Sequence, residues 1–155
     1  NSYDKIETFV FSTALHRVSE ILDNHEFDKA FDIISERVPQ WSGGTTIGSC
    51  LDDFVREYGY RTVGKKTVVL ILSDGWDTGN PEVMKSAMQR IYRKSKKVIW
   101  LNPLAGSSDF TPEALGMKTA LPYIDVLASA HNLESLRLAI SQIKKKRNLL
   151  NRELV

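Results

Sequence analysis

Residues 68–79 read VVLILSDGWDTG. A run of valine, leucine and isoleucine ends abruptly at Ser73, Asp74, Gly75, Trp76 and Asp77. A continuous apolar run of this kind suits a strand covered on both faces, as in parallel sheets. Its polar end admits two readings. Asp-Gly is a common turn dipeptide, because glycine tolerates positive φ and aspartate bonds its own backbone. In open α/β sheets, however, ligands bind just beyond the carboxyl ends of the strands.

The flanking segments supply the sheet. Upstream, KIETFVFS (5–12) is rich in β-branched and aromatic residues and reads as a strand, with ALHRVS (14–19) as a short second strand. Phe27, Ala30, Phe31, Ile34 and Val38 recur at helical spacing over 26–38, and Pro39 ends that helix. A second helix spans 47–60, with Ile47, Cys50, Leu51, Phe54, Val55 and Tyr58 on one side. After the 67–73 strand, Pro81 opens a helix over 81–95, with Val83, Met84, Ala87, Met88 and Ile91 as its stripe. KKVIWLNPL (96–104) reads as the next strand, TPEALGM (111–117) as a short helix and IDVLASA (124–130) as a weaker strand. A final helix over 132–147 has Asn132 as its cap and basic residues in its last turn. The alternation predicts an α/β fold with a Rossmann-like, doubly wound, mostly parallel sheet and helices on both faces. One domain over 1–147 and a tail over 148–155 account for the 155 residues.

Composition narrows the function. A net charge of +2 is too small to imply a nucleic-acid partner. No apolar stretch reaches the roughly 18 residues of a membrane span. The single cysteine, Cys50, excludes an internal disulfide and fits a reducing, cytoplasmic setting, with the thiol packed in the core. His16, His25 and His131 lack metal-ligand spacing, and G-x-S-x-G does not occur. Asp52 and Asp53 are adjacent on a helix and point apart, a poor acid/base pair.

Two polar loops remain. WSGGTTIGS (41–49) leads into a helix, and SDGWDTG (73–79) follows a strand, which places both on one edge of a doubly wound sheet. They offer the hydroxyls of Ser42, Thr45 and Thr46 and the carboxylates of Asp74 and Asp77. Hard divalent cations accept such oxygens. The loop GGTTIG lacks the Lys-Ser or Lys-Thr ending of a P-loop.

WSGGTTIGSCL (41–51), VVLILSDGWDTGNPEVM (68–84) and VIWLNPL (98–104), with FVFSTALHRV (9–18), resemble von Willebrand factor type A domains. The likeness is to the subgroup similar to carbon monoxide dehydrogenase accessory protein E (CoxE-like). The resemblance implies a metal-ion-dependent adhesion site built by three loops and binding Mg²⁺ or Mn²⁺. Thr45 is then the ligand from the second loop, in preference to Thr46, and Asp74 the ligand from the third. Ser42, Thr46, Asp77 and Trp76 become outer-shell or partner-contact residues, Asp77 being alternatively turn-forming, with Trp41 and Trp76 either covering the loops, contacting a partner or packing the loops onto the sheet. Trp100, on a strand, reads as core.

The resemblance also implies function. A protein-binding module, itself not an enzyme, would act with a MoxR-type AAA+ ATPase in enzyme maturation or cofactor insertion, engaging an acidic residue of its partner. The alternative is a Mg²⁺-dependent phosphoryl-transfer or hydrolytic enzyme on the same sheet; a scaffold with a degenerate site is a third reading. The first-loop signature D-x-S-x-S does not occur in residues 1–155. The strand that carries it in the family sits centrally, so a gap with two exposed edges is expected, and the sequence reads as the C-terminal portion of a longer polypeptide.

Overall fold

The computed structural model describes residues 5–38, 45–105 and 115–130, together with 134, 137, 138, 141, 153 and 154. A hairpin comes first. Strands β1 (Phe9–Phe11) and β2 (Leu15–Arg17) pair antiparallel, Val10 opposite His16. Helix α1 (Ser19–Asn24), unforeseen from the sequence, follows, then α2 (Phe27–Arg37), α3 (Ile47–Glu57) and the single turn α4 (Gly59–Thr62). Strand β3 (Val68–Leu72), helix α5 (Pro81–Lys94) and strand β4 (Lys97–Asn102) come next. Helix α6 (Leu115–Ala120) overlaps the end of the predicted 111–117 helix, whose residues 111–114 lie outside the described residues, and strand β5 (Val126–Ser129) follows. Residues 134, 137, 138 and 141 have helical backbone; the rest of the predicted 132–147 helix lies outside the described residues.

Local chemistry accounts for the clearest element. Asn80 Oδ1 accepts the Glu82 N–H at 3.0 Å, Pro81 takes the first helical position, and Arg93 and Lys94 close the last turn of α5. Met84, Ala87, Met88 and Ile91 are all buried on its inner face. They pack with Ile47, Leu51 and Val55 of α3 and with Ile71, Val98 and Trp100 of the sheet. Each such side chain, fully buried, contributes roughly 1.5–3 kcal/mol. Ile99, Leu101, Val126 and Ala128 form a second cluster. Along a strand, side chains alternate between faces, so this cluster lies on the opposite side from Val98 and Trp100.

Strands β3, β4 and β5 run parallel in that order, Leu70 beside Ile99 and Trp100 beside Leu127. Residues 153–154, read as part of a tail, add a two-residue strand β6 beside β5. The hairpin belongs to a separate sheet, so β1 and β3 share no ladder. Among the described residues β3 is an edge strand, and Leu70 and Leu72 are 49% and 58% exposed, in contrast to the both-face coverage its composition suggested. Helix α3 bears on both sheets: Phe9 meets the Phe54 and Tyr58 rings edge-on, and Leu51 and Val55 share a core with β3 and β4. The stripe on α2 is only partly a core stripe. Ala30 and Ile34 are buried, with Val38 just beyond the helix, whereas Phe27 and Phe31 stack on each other in solvent.

Candidate functional site

The loops at 45–46 and 73–79 meet. Thr78 donates both its backbone N–H and its hydroxyl to the Thr45 carbonyl, each at 3.2 Å. Helix α3 therefore starts where β3 ends, and α5 starts just beyond it. Both helices bring N-terminal N–H groups, and the partial positive charge of their dipoles, to this edge. The first turn of α3 holds no acidic residue, and Thr46, its cap position, makes no side-chain capping bond.

Asp74 is exposed at the tip of β3. Its Oδ1 accepts the Trp76 N–H at 2.9 Å, so it closes a turn in its own loop. Gly75 has φ +78°, a left-handed conformation that glycine adopts without strain. Asp74 thus makes the turn that Asp-Gly predicts, at the carboxyl end of β3. Asp77 is half-buried and its Oδ1 accepts the Gly79 N–H at 3.2 Å, a turn-forming bond. Trp76 is 68% exposed and does not pack the loop onto the sheet. Trp41 and Ser42 lie outside the described residues.

The two adjacent threonines differ. Thr46 donates its N–H to the Ser12 carbonyl at 3.3 Å. Cys50 is buried, with Sγ 3.8 Å from the same Ser12 carbonyl. Burial pushes the Cys50 thiol up, the Asp53 and Asp77 carboxylates add to this, and Thr46 opposes it. Cys50 is accordingly a protonated packing residue. Ser12 Oγ, at the end of β1, is buried without a hydrogen-bond partner among the described residues.

Sequence reasoning missed what holds the loop. Trp100 Nε1 donates to the Ser73 carbonyl at 2.8 Å, Ser73 N–H to the Leu101 carbonyl at 3.0 Å, and Asn102 Nδ2 to the Asp74 carbonyl at 3.1 Å. Trp100 is core, as read, but carries this polar contact as well. On the far side, Gly75 lies against Gly116 and Met117 of α6, so closely that a Cβ on either glycine would overlap the other element.

The remaining polar candidates are structural. Asp52 and Asp53 both bond Arg56, and Asp52 also accepts from Arg90 at 3.3 Å. His25 contacts the Ile21 carbonyl at 3.0 Å within its own helix end, and His131 lies outside the described residues. Among the described residues no three His, Cys, Asp or Glu side chains form a group able to hold a metal ion by themselves. No helix among them is long and apolar enough to cross a membrane.

No curated protein and no solved structure matches the chain. A family model does match, over residues 1–136, which takes in both loops, the hairpin and every strand from β1 to β5. The chain belongs to the family described as VWA domain containing CoxE-like protein, a von Willebrand factor type A interaction module on an α/β Rossmann-like sheet.

Proposed function

We propose that this chain is a metal-ion-dependent protein-binding module that does no chemistry of its own. It serves in the cytoplasm as an accessory factor to a MoxR-type AAA+ ATPase in enzyme maturation or cofactor insertion. The observation that carries the reading is the pair of Thr78 bonds to the Thr45 carbonyl, which ties the Thr45 loop to the loop of Asp74.

The donor chemistry fits Mg²⁺ or Mn²⁺. Thr45 offers a neutral hydroxyl and Asp74 an exposed carboxylate, both hard oxygen donors. Asp74 and Asp77 each give one oxygen to a turn of their own loop; Asp74 is the more exposed, and with Thr45 it would hold the ion. The bound ion would supply a Lewis-acidic point to which a partner carboxylate binds. Few protein charges at the site favour this, because each further carboxylate would neutralise the cation and weaken its pull on the partner. Trp76, exposed beside Asp74, is placed to contact that partner, and tryptophan is enriched where interfaces carry most of their energy.

The test is capture of a MoxR-type ATPase by the chain in Mg²⁺ and in a chelator. Binding that needs the metal and is lost in Asp74→Ala supports the proposal. Binding indifferent to both refutes the metal-dependent part, and no binding by the wild type refutes the choice of partner.

A further inference from the structure

We infer that Asn102 is the positioning residue that fixes Asp74 at the sheet edge; the inference rests on reading Asp74 as the site's carboxylate. Asn102 is the last residue of β4 and is fully buried. All its side-chain polar atoms are used. Nδ2 donates to the Asp74 carbonyl at 3.1 Å, and Oδ1 accepts the Leu104 N–H at 2.8 Å. Its own carbonyl accepts from Ala105 at 3.2 Å and Ala130 at 3.1 Å, which ties the same residue to the chain leaving β5.

A buried side-chain amide is costly to keep unless it is satisfied, and here its nitrogen is satisfied by the Asp74 loop and its oxygen by the chain just after β4. Its effect on Asp74 is directional. The carbonyl of Asp74 is drawn inward to Asn102, while the carboxylate stays exposed on the other side of the same residue. The neighbouring carbonyl of Ser73 is held by Trp100 Nε1, and the bare Cα of Gly116 admits the Gly75 carbonyl. Two consecutive carbonyls are thus hydrogen-bonded to β4, and the next packs against α6. An aspartate so held loses little further freedom when it engages a ligand, which is how preorganisation raises affinity.

Asn102→Asp keeps the shape and removes the donor, placing an acceptor against the Asp74 carbonyl. The readouts are backbone ¹⁵N order parameters and Mn²⁺ affinity by titration calorimetry, on the full chain. In the wild type, residues 73–76 should be as ordered as β4, at about 0.85. In the variant they should fall below about 0.6 while β4 and β5 keep their values. Mn²⁺ affinity should drop about 10- to 100-fold, as for other residues that orient a metal ligand. A merely structural role would lower the unfolding midpoint and leave both the local order parameters and the affinity unchanged, which overturns the inference. Wild-type order parameters below 0.6 at 73–76 overturn it without any variant, so a misfolded Asn102→Asp does not shield it. A wild type that is ordered at 73–76 but binds no Mn²⁺ refutes Asp74 as a metal ligand while the anchoring of its loop stands.

Discussion

Gly48 sits in the first turn of α3, where that helix crosses the first turn of α5. A Cβ built there lies 2.9 Å from the Met84 nitrogen, 3.0 Å from its Cβ and 3.1 Å from its Cα. Carbon atoms in contact normally stay about 3.5–4.0 Å apart, so Gly48→Ala demands a separation of about 0.5–1 Å. Backbone atoms cannot swing aside, and Met84 is fully buried. The helices must therefore part, at a typical overpacking cost of about 1–3 kcal/mol. Alanine's helix preference over glycine, at most about 1 kcal/mol, offsets part of this. A net loss of about 1–2 kcal/mol corresponds to roughly 2–8 °C in the unfolding midpoint for a domain of this size. Gly64 provides the control, because nothing lies within 4 Å of a Cβ built there. Thermal unfolding followed by circular dichroism should show Gly48→Ala lowered and Gly64→Ala within about 0.5 kcal/mol of wild type. A Gly48→Ala midpoint equal to or above that of the wild type would refute the close-crossing argument.

Gly116→Ala should destabilise more than Gly48→Ala, since its Cβ would meet the fixed carbonyl of Gly75; equal midpoints in differential scanning calorimetry would contradict this. Met88→Ala, at a fully buried position, should cost about 2–5 kcal/mol by urea titration. Arg17, with Ser19 and Lys5, holds the Glu7 carboxyl down to about 2 from 4.5. A folded-state value below the unfolded one gives stability that is present above about pH 4.5 and fades as the pH falls towards 2. Because Arg17 and Lys5 are largely at the surface, the effect is about 1–2 kcal/mol after screening, and Glu7→Gln should flatten that part of the pH profile. Leu70→Lys on the exposed edge strand should slow aggregation in light scattering with little change in midpoint; unchanged aggregation would mean that the β3 edge is not its source.

Much of the fold was legible because its signals were local. Asn80, Pro81 and the Met84–Ile91 stripe announce α5, and the buried run of β4 announces a parallel strand. The Phe27 and Phe31 positions misled because period alone marks a helix and not which of its residues meet a core. Helix α1 carried no stripe, and no side chain caps it. At the site, the two loops could be paired from the topology of a doubly wound sheet, and oxygen chemistry offered Ser42, Thr45, Thr46, Asp74 and Asp77; the resemblance alone singled out Thr45 and Asp74. The roles of Asn102, Trp100 and Gly116 could not be read. Their contacts with residues 73–75 cross 27 positions or more, and they join side chains or a bare Cα to backbone carbonyls. Such contacts leave no period or spacing in a single sequence.

The central claim is that Thr45 and Asp74 hold a divalent cation at the carboxyl edge of the sheet. Calorimetric titration of the chain with Mn²⁺, beside Asp74→Ala and Thr45→Ala, tests it most directly. The account predicts saturable binding by the wild type, abolished in Asp74→Ala and weakened in Thr45→Ala, with both variants folded. Binding that persists unchanged in Asp74→Ala, or no saturable binding by the wild type, would contradict it.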